Sequence, residues 1–243
     1  MLDMIRPTPI EAAKLFIHEQ FPACQAALLG GSVVRGEDTP TSDLDIVVID
    51  EHLQSEYRES LISHGWPIEL FVHNLKTLRH YFQSDYQRAR PSLQKMVSEG
   101  IPLIDHTIID TIKQEANNML RDGPPEWSAE TIRLKRYFLT DALDDLVGST
   151  KRGESIFIAN SIGELLHEFV LRSSRHWIGS SKWIVRALHE YDPQFAKEFV
   201  DAFEHFYRKD DKTEIVRLVE TVLQTHGGRL FEGFSVGKDH ETS

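Results

Sequence analysis

The alternation of apolar and polar residues predicts strands and helices in turn over the first half of the chain. Buried strands are predicted from three short apolar runs at 26–29, 44–49 and 68–72. Helical patterns fall around them: over 9–18, from Ser32, across 52–63, over 75–99 with a break at Pro91, and over 107–120 after a short extended piece. The first helix has a clear start, because Thr8 can cap it, Pro9 suits its first position and Glu11 completes a capping box.

The second half of the chain has a purely helical pattern. Gly123, Pro124 and Pro125 mark a boundary, because paired prolines after a glycine cannot continue a helix. Beyond it, apolar residues at helical spacing predict further helices over 128–146, 155–177, 182–190, from Pro193 and over 211–225. We therefore expect two domains: an α+β domain over 1–122, with a small mixed sheet flanked by helices, and an all-α helical-bundle domain over 128–243.

Two aspartates stand at the head of the second predicted strand. Asp43 and Asp45 are one residue apart, so on a strand their side chains point to the same face. Two carboxylates on one face repel each other unless a cation lies between them, and Mg²⁺ is the natural occupant of such an oxygen site. A lone pair of this kind is also common at a solvated strand end.

A turn of small residues follows the first predicted strand. Gly30, Gly31 and Ser32 offer backbone N–H groups at a predicted helix N-terminus, where a phosphate would be stabilised. Together with the aspartates, this turn indicates a site for a metal–nucleoside triphosphate.

The order of these motifs resembles the nucleotidyltransferase superfamily that includes DNA polymerase beta. The matching elements are Gly31-Ser32, Arg35-Gly36 and Ser42-Asp43-Leu44-Asp45. The resemblance implies a nucleotidyltransferase fold for the first domain and a third carboxylate on a following strand, for which Glu69 is the candidate.

The run around Glu69 and the two-domain layout resemble the aminoglycoside nucleotidyltransferases that modify streptomycin and spectinomycin. This resemblance implies transfer of AMP from ATP to an acceptor hydroxyl. It also implies two Mg²⁺ ions held by Asp43, Asp45 and Glu69. Glu69 would be the base that activates the hydroxyl. Gly31, Ser32 and Ser42 would hold phosphates with Arg35 in support, although Arg35 could instead anchor its loop.

Two features of the helical domain are candidates for binding substrates. Asp141 and Asp145 lie four residues apart on one predicted helix and could bind ammonium groups of a cationic acceptor, or form an ordinary solvated face. Lys182 resembles the lysine that contacts the triphosphate in the drug-modifying enzymes, although it could equally be a surface residue of a first helical turn. The helical domain is expected to form the acceptor pocket.

The charge of the chain narrows the classes of substrate. A net charge of −11 argues against nucleic acid and suits a small cationic acceptor. Cys24 is the single cysteine, the first residues lack a signal-peptide pattern, and no apolar run approaches a bilayer span, so we expect a cytoplasmic protein that does not bind membranes.

Two other functions remain open from the sequence. Small relatives in the superfamily act as antitoxins and some nucleotidylate a partner protein. The helical toxins of such pairs carry an arginine and a histidine separated by four to six residues, whereas three separate Arg172 from His176. The other possibility is a non-catalytic nucleotide-binding protein, against which the complete set of three carboxylates argues.

Overall fold

A computed structural model describes residues 6–237. The chain divides into two compact units, the first ending at Gly123 and the second beginning at Pro124. The first unit contains α1 (Pro9–Gln20), β1 (Ala26–Gly30), α2 (Gly31–Val34), β2 (Leu44–Ile49), β3 (Tyr57–Ser63), β4 (Trp66–His73), α3 (Leu75–Arg88), α4 (Ser92–Glu99), β5 (Ile101–Asp105) and α5 (Ile109–Asp122). The second contains α6 (Ala129–Gly148), α7 (Arg152–Ser173), α8 (Trp183–Tyr191), α9 (Pro193–Lys209) and α10 (Thr213–Gln224).

The described strands form one five-stranded mixed sheet in the order β3-β4-β2-β1-β5. β2 and β4 are parallel, whereas the other neighbouring strands pair antiparallel. The expected fold class, a small mixed sheet flanked by helices and followed by a helical region, is confirmed. The predicted capping box is also present, because Thr8 accepts a hydrogen bond from the Glu11 N–H and the Glu11 carboxylate accepts one from the Thr8 N–H.

Both faces of the sheet are covered by helices. Alternate residues of each central strand point to opposite faces, so Ala27 and Leu29 pack with α1 while Ala26 and Leu28 pack with α3, α4 and α5. The central strands β1 and β2 are therefore buried on both sides and read as continuous apolar runs. This double burial fixes their register, because a slip of one residue would exchange the two faces.

The helical unit has its own buried core. Leu139, Leu143 and Leu146 of α6 are fully buried, as is Phe206 of α9. The chain after α10 returns to α6, where the Arg136 guanidinium donates to the His226 carbonyl and to neighbouring carbonyls. Within residues 6–237, no helix is both long and apolar enough to span a membrane.

The helix expected across 52–63 is wrong, because residues 57–63 form the edge strand β3. His64 and Gly65 have φ values of 50° and 77°, and Ser63 pairs with Trp66 around them. A two-residue turn with positive φ at both positions matches the twist of two antiparallel strands. Most side chains of β3 are exposed, so the strand lacks the apolar alternation that would have indicated it.

The hairpin turn gives a test of this strand assignment. Gly65→Ala should lower the free energy of unfolding in urea by about 1–2 kcal/mol, because a side chain is strained at positive φ. Gly153→Ala is the control. Gly153 lies in α7, its φ is not positive, and no atom lies within 4 Å of an added Cβ. It should leave the stability unchanged or raise it by up to ~1 kcal/mol. Equal effects of the two substitutions would contradict the hairpin.

Candidate active site

Strand pairing brings three carboxylates together. Asp45 of β2 lies opposite Glu69 in the parallel strand β4, and Asp43 precedes Asp45 by two residues, on the same face. One oxygen from each of the three carboxylates lies within 4.8 Å of the others, and all three residues are partly buried. The cluster lies where β2 begins, on the sheet face covered by α3, α4 and α5.

The glycine turn lies directly against this cluster. Gly30 is the register partner of Asp45, and Gly31, at a φ of 78°, opens the four-residue helix α2. A Cβ placed on Gly31 would lie 1.9 Å from Asp45 Oδ2. Glycine is therefore needed at position 31 both for its backbone conformation and for the close approach of the carboxylate.

The two serines of the motif meet beside the turn. Ser32 Oγ donates to Ser42 Oγ at 3.2 Å, and the Thr39 N–H donates to the same Ser42 oxygen at 2.9 Å. These bonds hold the loop from α2 to β2 against the helix. Phosphate binding by Gly31, Ser32 and Ser42 stays a prediction.

Arg35 bridges two parts of the first unit. Its Nε donates to Glu37 at 3.1 Å, and its NH1 donates to Glu99 at the end of α4 at 2.9 Å. This geometry fits an arginine that anchors its loop to α4. A contact of Arg35 with phosphate stays a prediction.

Arg58 is a site residue that sequence reasoning missed. It lies on β3, and its Nε donates to Glu69 Oε1 at 3.1 Å while its NH2 makes a second, shorter contact with the same oxygen. Ser60, two residues along β3, is the register partner of Glu69, so Arg58 lies on the same face. The signal that would have revealed it is the turn at His64 and Gly65, which sets this register.

The electrostatics of the cluster favour a bound cation. The pKa of Asp45 is raised from its usual 3.8 to about 6, first by burial and then by the charges of Asp43 and Glu69, while Arg35 and Arg58 act in the opposite direction. An all-oxygen set of partly buried carboxylates matches the ligands that Mg²⁺ prefers. A divalent cation would relieve the repulsion that raises this pKa, so the residues fit the group.

The remaining predicted residues belong to the helical unit. Lys182 is the exposed residue that precedes α8, and Asp141 and Asp145 lie on the exposed side of α6. Asp145 also lines an open groove of about 990 Å³, together with Lys151 of the α6–α7 turn and Phe157 of α7. The roles of Lys182, Asp141 and Asp145 as ligands stay predictions.

The part of the chain that forms this site matches a known protein family. Residues 10–110 match the family model of the nucleotidyltransferase domain, a range that contains all three carboxylates. Among solved structures, a nucleotidyltransferase-like protein from Exiguobacterium sibiricum is similar at 13% identity and a TM-score of 0.45, over 89% of this chain and 74% of that chain. The comparison with curated proteins gave no match. The residues that match the family model all lie within the first unit.

The contact between Gly31 and Asp45 can be tested by a matched pair of substitutions. Gly31→Ala should weaken Mn²⁺ binding, measured by calorimetry, at least about tenfold, because the new Cβ must displace the Asp45 carboxylate. Gly36→Ala is the control, because its φ of 68° imposes a similar strain while no atom lies within 4 Å of the added Cβ. Equal Mn²⁺ affinities in the two variants would contradict the importance of this contact.

The raised pKa of Asp45 predicts a dependence of stability on pH. Between pH 4 and 6 the folded state holds the Asp45 proton more tightly than the unfolded state, so stability is lost as the pH rises. The quantity to follow, in EDTA, is the free energy of unfolding of Asp45→Asn minus that of the unsubstituted protein. This difference should increase from pH 4 to 6 by at most about 3 kcal/mol and then level off. Urea unfolding at several pH values measures it. A constant difference would mean that Asp45 is not desolvated.

Proposed function

We propose that this protein transfers a nucleoside monophosphate, AMP from ATP, to a hydroxyl group of a small acceptor and releases pyrophosphate. The observation that carries the proposal is the convergence of Asp43, Asp45 and Glu69 beside the Gly31 turn, inside a nucleotidyltransferase domain. A lone acidic pair would be weak support. Three carboxylates aligned by strand register and approached by a glycine turn are much stronger support.

The carboxylates would act by holding Mg²⁺, with Asp43 and Asp45 as shared ligands and Glu69 near a second ion. When bound, Mg²⁺ supplies charge neutralisation for the triphosphate and for the attacking and leaving oxygens of an in-line displacement. The chain contributes the positions of its carboxylates, and the β2–β4 pairing places Asp45 opposite Glu69 before any ligand arrives.

The reaction needs one proton acceptor. The acceptor oxygen forms a bond to the α-phosphorus, the bond from that phosphorus to pyrophosphate breaks, and the hydroxyl proton passes to Glu69. Glu69 can serve in this way if the acceptor hydroxyl lies within hydrogen-bond reach of its carboxylate. The Gly31 turn with Ser32 and Ser42 would hold phosphate oxygens, while Arg35 keeps their loop in place.

The acceptor is proposed to be a small cationic molecule of the aminoglycoside type. The net charge of −11 favours a positively charged ligand, and Asp141 and Asp145 present exposed carboxylates that could bind its ammonium groups. Lys182 is the proposed contact to the triphosphate from the helical unit.

The proposed reaction is tested by pyrophosphate release with ATP and Mg²⁺, screened against aminoglycosides, other hydroxyl-bearing small molecules and a protein fraction. Asp43→Asn should lower acceptor-dependent release at least about a hundredfold. Replacing a residue that only supports a metal ligand typically lowers metal affinity or activity about 10–100-fold, and Asp43 is itself a proposed ligand. Circular dichroism should show an intact fold.

Glu59→Gln is the matched control for this substitution. It removes one carboxylate from the same unit, but Glu59 is exposed and adjoins Ser60, so it points away from the face that carries Glu69. Full release by Asp43→Asn would contradict the assignment of the carboxylates. Release stimulated only by the protein fraction would replace the small acceptor with a partner protein.

A further inference from the structure

Arg58 already occupies part of the carboxylate cluster. Two of its guanidinium nitrogens donate to one oxygen of Glu69. Its charge also reaches Asp45, whose pKa it lowers. Arg58 thus brings a positive charge to the site where a metal ion is expected.

The position of Arg58 is supported on two sides. Phe71 is its register partner on β4, and the guanidinium carbon lies 5.0 Å from the centre of the Phe71 ring. Glu69 holds the far end of the same side chain. A carboxylate and an aromatic ring thus both hold the guanidinium, although 62% of the Arg58 side chain remains exposed.

We propose that Arg58 is a positioning residue that holds Glu69 and competes with the divalent cation for this carboxylate. The proposal rests on the proposed function only in taking the three carboxylates as the metal site. A guanidinium and a metal ion on the same carboxylate repel each other, so full coordination by Glu69 requires Arg58 to move away.

Displacement is the only route by which Arg58 can leave. An arginine side chain is a permanent cation, so a metal ion must compete with it for the carboxylate. While the pair persists, one Glu69 oxygen accepts both hydrogen bonds and cannot bind a metal ion without losing them. Arg58 therefore holds this oxygen until a metal ion displaces it, and it raises the metal concentration that the site requires.

The competition is measured by Mn²⁺ binding, followed by electron paramagnetic resonance of the free ion, with no nucleotide present. Arg58→Ala should bind Mn²⁺ about fivefold more tightly, the effect of removing one partly solvated positive charge near the ion. Arg58→Lys keeps the positive charge, so its Mn²⁺ affinity should lie within about twofold of that of the unsubstituted protein.

Arg79→Ala is the matched control. Arg79 makes a similar two-bond contact with a carboxylate in the same unit, that of Glu115, and its side chain is 51% exposed. Its removal should leave Mn²⁺ affinity unchanged, so that loss of charge from the unit as a whole is excluded as the cause. Circular dichroism and thermal unfolding of all variants check that the fold is retained.

Failure of this inference is distinguishable from failure of the proposed function. If Arg58→Ala binds Mn²⁺ no more tightly than the unsubstituted protein, while the Asp43→Asn, Asp45→Asn double variant loses binding, the competition is wrong and the metal site stands. If the double variant binds as well as the unsubstituted protein, the carboxylates do not hold the metal and both proposals fall. Tighter binding by Arg58→Ala alone, abolished when the aspartates are also replaced, supports the competition.

Discussion

The repulsion among three carboxylates is the constraint on which the rest of the site depends. The pairing of β2 with β4 places Asp45 and Glu69 in one row, and Asp43 adds a third charge on the same face. The backbone cannot relieve this repulsion without changing register, and register is fixed by apolar layers on both faces of the sheet. The repulsion must instead be met by cations, and the charges of Arg35 and Arg58 act against it at Asp45.

Much of this arrangement could be predicted from the sequence because it is encoded locally. Thr8 and Glu11 form the capping box that their spacing indicates, and the apolar runs of β1, β2 and β4 are strands. Asp43 directly precedes β2 and Asp45 lies in it, and their two-residue spacing predicted that they share a face. Glu69 was also identified, because the family resemblance implied a third carboxylate on a following strand.

The parts that could not be predicted depend on exposed residues. β3 lies at the edge of the sheet, where most side chains face water, so its apolar pattern is weak and a helix was expected instead. Arg58 was missed for the same reason, since its contact with Glu69 depends on the register that His64 and Gly65 impose. The ligands of Lys182, Asp141 and Asp145 are harder still to predict. An exposed charged side chain can bind many partners, and the fold of a protein does not determine its substrate.

The order of the strands along the chain has a consequence for biosynthesis. All five strands of the described sheet, both apolar layers and the three carboxylates precede Gly123, so they leave the ribosome before the helical unit does. Domains fold as units during synthesis, the N-terminal one first. The carboxylate cluster therefore assembles on the nascent chain, and the Arg58–Glu69 ion pair, which spans only the β3–β4 hairpin, gives it a counter-charge from the moment it forms.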